Sequence, residues 1–268
     1  MGILTRVAAA TTARPAGLPG HDVAVTASTT TPRRRRGRTA LLLLLGTVAV
    51  SACGSHDSAA PALPTLGPTV QPKATNAPAV PDVITLRAQL LDVPQLPSGY
   101  SSLGDPAPGS TTGAGARTTP AQCAKVLAPI AEQAPNAVTR AAAQYGGPDF
   151  DSIDIDSAAY ANDGAAQAFS TAQALLRQCG TYSSTDTDGS KVQFQVGGLD
   201  QPTAGDGSFG FRVHTTSQGL TLYTAVSITV VGSTVVQLAM SGTNEPDPQQ
   251  LSALTDAQVH KLRGDAGP

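Results

Sequence analysis

Tryptophan is absent from the 268 residues, and cysteine occurs three times, at Cys53, Cys123 and Cys179. So few thiols exclude a cysteine-dense disulfide scaffold and a zinc site built from cysteine alone. Charge is scarce as well: Asp, Glu, Lys and Arg make up 13% of the chain, about half the roughly 25% of an ordinary soluble protein. Neither a GxxxxGK[ST] phosphate loop nor an HExxH zinc helix occurs, so those sequence signals for nucleotide and zinc-peptidase chemistry are missing. Glycine (27) and proline (21) are plentiful instead, a bias toward turns and unpacked chain.

What is present begins with an address. Arg33, Arg34, Arg35, Arg36 and Arg38 form a positive cluster, and residues 39–52 follow as an apolar run centred on five leucines, 41–45. A basic segment, an apolar segment and a small-residue exit is the order of a secretory signal. The run is too short to cross a hydrocarbon core, which needs about 20 helical residues. Val50-Ser51-Ala52-Cys53 ends it and resembles the bacterial lipobox, in which the Cys sulfur takes a diacylglycerol and the chain is cut before it. Three acyl chains at that position would anchor the protein firmly to a membrane. The competing readings are an uncleaved anchor and an ordinary signal with a chance cysteine. Residues 1–32 are an unusually long lead, which leaves open a genuine long lead or a translation start further downstream.

Removing residues 1–52 takes away seven Arg and one Asp, leaving ten basic and eighteen acidic residues, a net charge of −8. A polyanion-binding surface needs clustered Lys and Arg. None remains, so no nucleic-acid partner is expected. Residues 53–82 read as a tether: Pro61, Pro64, Pro68, Pro72, Pro78 and Pro81 punctuate Ala, Thr, Ser and Gly, a composition that favours extended, solvated chain.

Residues 83–263 carry the folded part, and residues 264–268 form a short tail. Alternation marks a strand at 208–216, with Phe209, Phe211 and Val213 on one face and Arg212 and His214 on the other. A second strand, 221–230, puts Val226 and Ile228 on one face. A four-residue loop at 217–220 would set Phe211 opposite Val226 and His214 opposite Tyr223, so the apolar faces agree, and a one-residue slip would reverse every side chain. At Gly232-Ser233 the arithmetic conflicts. A two-residue turn aligns Ile228 with Gln237 and a three-residue turn aligns it with Leu238; a bulge or a sheet covered on both faces would reconcile them. Further strands are expected at 138–145, 152–160, 190–196 and 234–241, with Asp154 and Asp156 exposed. Helices are expected at 120–133, at 163–179 with Asn162 as N-cap, and from Asp247-Pro248 onward, with Leu251, Leu254 and Leu262 in a core stripe. The expected class is α+β: an antiparallel sheet of five to six strands, three helices and one disulfide. That disulfide is Cys123 to Cys179, the pairing an oxidising compartment favours over a reactive free thiol.

Leu91-Asp92-Val93-Pro94-Gln95-Leu96-Pro97-Ser98-Gly99-Tyr100 resembles the LxxxDLPxGY opening of actinobacterial sensor-domain lipoproteins, which are similar to the PknH-type extracellular domain of mycobacterial receptor kinases. Tyr160-Ala161-Asn162-Asp163-Gly164-Ala165-Ala166, leading into Leu176-Arg177-Gln178-Cys179, fits the same pattern. The resemblance implies an antiparallel sheet with packed helices and a cleft for an envelope ligand. This chain departs from it in lacking a kinase domain, in having one bridge rather than two, and in Leu176 where an aromatic residue would precede the Cys.

Catalytic signals are thin. A GxSxG nucleophile elbow is missing, and the acids Asp149, Asp151, Asp154 and Asp156 alternate across faces, whereas calcium needs six to eight converging oxygens. No metal or cofactor is expected. The one constellation worth weighing is Arg212, His214 and Tyr223 on the polar side of the hairpin, able to grip an anionic ligand or shuttle a proton, or simply a solvated sheet face. Two functions follow. One is a non-catalytic binding module, anchored through Cys53 on the outer face of the cell membrane, that meets an envelope ligand or partner protein. The other is an envelope hydrolase acting on cell-wall or lipid esters.

Overall fold

A computed structural model describes residues 62–73, 79–104 and 116–265. The signal, the lipobox and Cys53 lie outside the described residues. In chain order the elements are α1 (Val83–Ala88), β1 (Ser101–Ser102), β2 (Arg117–Thr119), α2 (Ile130–Gln133), β3 (Thr139–Gly146), β4 (Ser152–Ala159), α3 (Gly164–Gln178), β5 (Thr181–Thr185), β6 (Lys191–Leu199), β7 (Gly207–Ser217), β8 (Leu220–Val231), β9 (Thr234–Gly242) and α4 (Pro248–Arg263). The strands form one antiparallel sheet in the order β1-β3-β4-β9-β8-β7-β6-β5-β2.

Among the described residues, nine strands and four α-helices correct the expected five to six strands and three helices. The additional pieces are ones with little periodic signal. Strands β1 and β2 are two and three residues long, β5 is a Thr/Ser run around Tyr182, and α1 has six residues. The helix expected at 120–133 is instead a 3-10 stretch, Ala121–Lys125, and the single turn of α2, with Pro129 between them; proline cannot donate the amide a continuous helix would need there. Asn162 is not the N-cap of α3. It takes a left-handed φ of 54°, and Asp163 holds the cap position without a side-chain capping bond.

The hairpin register is the one alternation implies. Phe211 pairs with Val226 and His214 with Tyr223. Ser217 and Leu220 are paired too, so the turn is the two residues Gln218 and Gly219, both left-handed at φ 50° and 81°, the geometry that matches strand twist. At the next turn Val231 pairs with Thr234 and Ile228 with Gln237. That settles the conflict at Gly232 in favour of the two-residue turn, because both faces of the sheet are covered.

On one face α3 packs Phe169, Ala172 and Leu176 against Phe211, Val226 and Ile228, and the Cys123–Cys179 disulfide, with Cα atoms 5.6 Å apart, ties the 3-10 stretch to the end of α3. On the other face α4 lays Leu251 and Leu254 over Ile153, Ile155, Leu238 and Met240. The LDVPQLPSGY segment buckles onto this second layer. Leu91 donates its amide to Gln258 Oε1 (3.0 Å) and accepts the Tyr145 hydroxyl (2.6 Å), while Gln258 Nε2 donates to the Gln89 carbonyl (2.7 Å). Asp92 and Gln95 close a capping box around the 3-10 turn at Val93–Gln95.

Residues 62–73 also lie on the domain. The Gly198 amide donates to the Pro64 carbonyl (2.8 Å), Arg177 Nη2 to the Gly67 carbonyl (2.7 Å), and the Lys73 amide to the Asp206 carbonyl (2.7 Å). Gln173 grips Val70 from both sides, accepting its amide and donating to its carbonyl, each at 2.9 Å. Leu66 and Val70 pack against the α3-side core.

Candidate functional site

Because β7 alternates, Phe211 and Val213 enter the α3-side core while Arg212 and His214 emerge on the α4 face. They stand on the part of that face beyond Leu251 and Leu254. The loop between β9 and α4 brings Glu245 over them. Arg212 Nη1 donates to Glu245 Oε2 at 3.0 Å, and His214 Nε2 stands 3.2 Å from Glu245 Oε1. The second contact is a close approach rather than an aligned hydrogen bond, since His214 Nε2 and Arg212 Nε are both sequestered from solvent without a hydrogen-bond partner among the described residues. Tyr223 closes the far side, its ring edge-on to the His214 imidazole with centroids 4.8 Å apart. The structure therefore brings together Arg212, His214 and Tyr223, and adds Glu245. The glutamate side chain is half exposed (51%), whereas the His214 side chain is 15% exposed. Chemically this is a guanidinium and an imidazole set around one carboxylate. Among the described residues, no serine or threonine hydroxyl is placed on His214 Nε2.

The acids of β4 are the second polar region. Asp154 and Asp156 share the α3 face with Ala158 and lie opposite Ala239 and Gln237 of β9. They were expected to be exposed, but both are partly buried, because α2 and the sheet enclose that side. Burial pushes the Asp156 carboxyl up to about 7, with the Asp154 and Glu132 charges adding to the effect. Asp154 is raised by burial as well, offset in part by hydrogen bonds from Ser152 and Gln144. Beside them Gln133 Nε2 donates to Gln237 Oε1 at 2.6 Å, and Gln133 Oε1 is left without a partner. Among the described residues no group of three or more His, Cys, Asp or Glu is arranged to hold a metal ion.

A third feature is an open depression of about 450 Å³ at the start of α3, lined by Asn136, Tyr160, Asn162, Gln167 and Thr171. Its Tyr160 hydroxyl is spent on the Ala134 carbonyl at 2.9 Å. Alternation identifies the Arg212–His214–Tyr223 trio and the shared face of Asp154 and Asp156, but not the burial of those acids. Glu245 sits in a loop with no periodic signal.

No family model matches the chain. Nor does any curated protein. Among solved structures, the fold is similar to that of one mycobacterial extracellular domain. The extracellular domain of PknH from Mycobacterium tuberculosis aligns with a TM-score of 0.53 at 13% identity, over 69% of this chain and 98% of that one. An uncharacterised Mycobacterium smegmatis protein, the Rv0999 ortholog, aligns with a TM-score of 0.34 at 15% identity, over 61% of this chain and 85% of that one. Among the described residues, no helix is long and apolar enough to cross a membrane.

Proposed function

We propose that this chain is a cell-envelope lipoprotein, anchored by acyl chains on Cys53 to the outer face of the membrane, whose folded part is a non-catalytic sensor-type domain. Residues 1–52 are its signal, residues 53–82 connect anchor to domain, and residues 83–263 form the domain. The lipobox-like Val50-Ser51-Ala52-Cys53, the Cys123–Cys179 bridge and a fold shared with an extracellular domain support export. The observation that carries ligand reading is a single half-exposed carboxylate, Glu245, held between Arg212 and His214. Glu245 acts as a built-in occupant, and the ligand is a carboxylate-bearing envelope molecule or partner side chain that takes its place. His214 facing Glu245 rather than a hydroxyl nucleophile favours binding over ester hydrolysis.

The test is an NMR titration of the purified chain and of Glu245→Gln with N-acetylated amino acids and dicarboxylates, following His214 and Tyr223. Saturable shifts, tighter in Glu245→Gln, are the expected result. Silence at both residues in both chains overturns the site. Turnover on a p-nitrophenyl ester panel that disappears in His214→Ala would favour the hydrolase instead. Mass spectrometry of the membrane fraction checks the anchor: the first residue is Cys53 carrying diacylglyceryl and acyl increments.

A further inference from the structure

The proline-rich stretch before the domain has the composition of a free spacer, yet residues 62–73 are seated. All five hydrogen bonds that hold them use main-chain atoms of the segment: the carbonyls of Pro64, Gly67 and Val70 and the amides of Val70 and Lys73. Proline suits such a partner, because an extended chain already fixed in φ loses less freedom on docking. The receiving surface is built for close approach of a backbone. Gly197 and Gly198 sit inside β6 without left-handed φ, so their own conformation does not call for glycine. A methyl group on Gly198 would overlap the Thr65 carbonyl oxygen, and one on Gly197 would overlap Leu63. Glycine weakens a strand interior, and its usual explanation is another backbone passing close by. Here that backbone is the chain's own. Beyond Thr181↔Gln195, β6 has no β5 partner, and Pro64 covers that bare edge.

We propose that the groove formed by β6, α3 and the Asp206 loop is a binding site for an extended peptide main chain, occupied by residues 62–73 as a clasp that sets how far the domain stands from its anchor. Ala62 is nine residues beyond Cys53, and Asp82 is twenty-nine beyond it. With the clasp seated, the chain between anchor and domain spans at most about 30 Å; with it released, the limit rises to about 95 Å. Only five main-chain hydrogen bonds and two apolar side chains offset the freedom lost in ordering twelve residues. Loss of the Gln173 or Arg177 contacts therefore releases the clasp while leaving the domain folded.

The stand-off rests on the anchored reading, but its test needs no membrane. In the full 268-residue chain Cys53 is the single thiol outside the disulfide, so a nitroxide attached there reports where residue 53 travels. Nine residues of chain can carry the label at most about 30 Å from Ala62. The expected result is strong broadening of domain amides around Gly197 and Gly198, with the Val70 and Lys73 amides at least tenfold protected from hydrogen exchange. In Gln173→Ala/Arg177→Ala that protection falls at least tenfold and the broadening disperses, while β8 amides keep their protection. Unprotected exchange across residues 62–73 in the unmodified chain overturns the proposal, and so does localised broadening that persists in the double variant. Should the double variant lose β8 protection, Gly198→Val serves as the second release variant and is read in the same way. Failure to find lipid on Cys53 would overturn the anchor and leave the groove standing.

Discussion

The two polar regions of the sheet lie on opposite faces, on strands β7 and β4 with β8 and β9 between them, and they solve the problem of buried charge differently. On the α4 face Arg212 and His214 share Glu245, a loop residue with access to water. On the α3 face Asp154 and Asp156 form no ion pair among the described residues, and the protein keeps them by shifting their protonation. A pair built on a movable partner can exchange that partner. A pair held by burial can only gain or lose a proton. That contrast is why the first region, and not the second, is read as the ligand site.

The same asymmetry runs through the supporting layers, and mutation can break it. The α3 layer is locked covalently. Replacing Cys123 and Cys179 by serine removes a bridge across a sequence separation of 56 residues and should cost about 4 kcal/mol in the chain-entropy model, read as a lower denaturant midpoint. The α4 layer is locked by hydrogen bonds instead. Gln258→Leu strands the Leu91 amide and the Gln89 carbonyl and should cost about 2–3 kcal/mol; an unchanged midpoint would mean that the buckle is ornamental.

The acidic pair gives a prediction of opposite sign. The Asp156 carboxyl sits near 7 in the folded chain against an ordinary value of 3.8, so folding takes up a proton between those limits. Its neutral form favours the fold fully below about pH 4. That contribution is lost as pH rises through about 7, with Asp154, Glu132 and Gln237 as its neighbours. Asp156→Asn should therefore raise stability at pH 8 by about 1–3 kcal/mol and flatten the pH profile; a profile as steep as before would locate the titration elsewhere. Smallest of all, Glu245→Gln at the partly exposed ion pair should change stability by less than about 1 kcal/mol while strengthening carboxylate binding. A large loss of stability would make Glu245 a structural brace rather than a stand-in.

Much of this sheet was legible from alternation. Phe209, Phe211, Val226 and Ile228 fix one register, which also placed His214 against Tyr223. What alternation could not show was coverage. Asp154 and Asp156 were correctly set opposite Ile153 and Ile155, but their burial depends on α2 and β9, which are distant in sequence. The short edge strands and α1 carry too few residues for a period to emerge. The clasp misled for a physical reason: an extended proline-rich chain has the same composition whether solvated or docked. Two adjacent glycines inside a strand, Gly197 and Gly198, were the sign that something passes overhead.

One feature of the sheet bears on how the molecule is made. Strands β1 and β2 are neighbours in sequence yet close opposite edges, β1 against β3 and β2 against β5. Val70 finds its partner 103 residues later, at Gln173. Every piece that emerges early from the ribosome thus waits for a mate synthesised later, and such long-range pairing is slow to assemble. Longest to wait are Gln89 and Leu91, whose mate Gln258 is added only when the polypeptide is almost finished, so the layer over that face closes last.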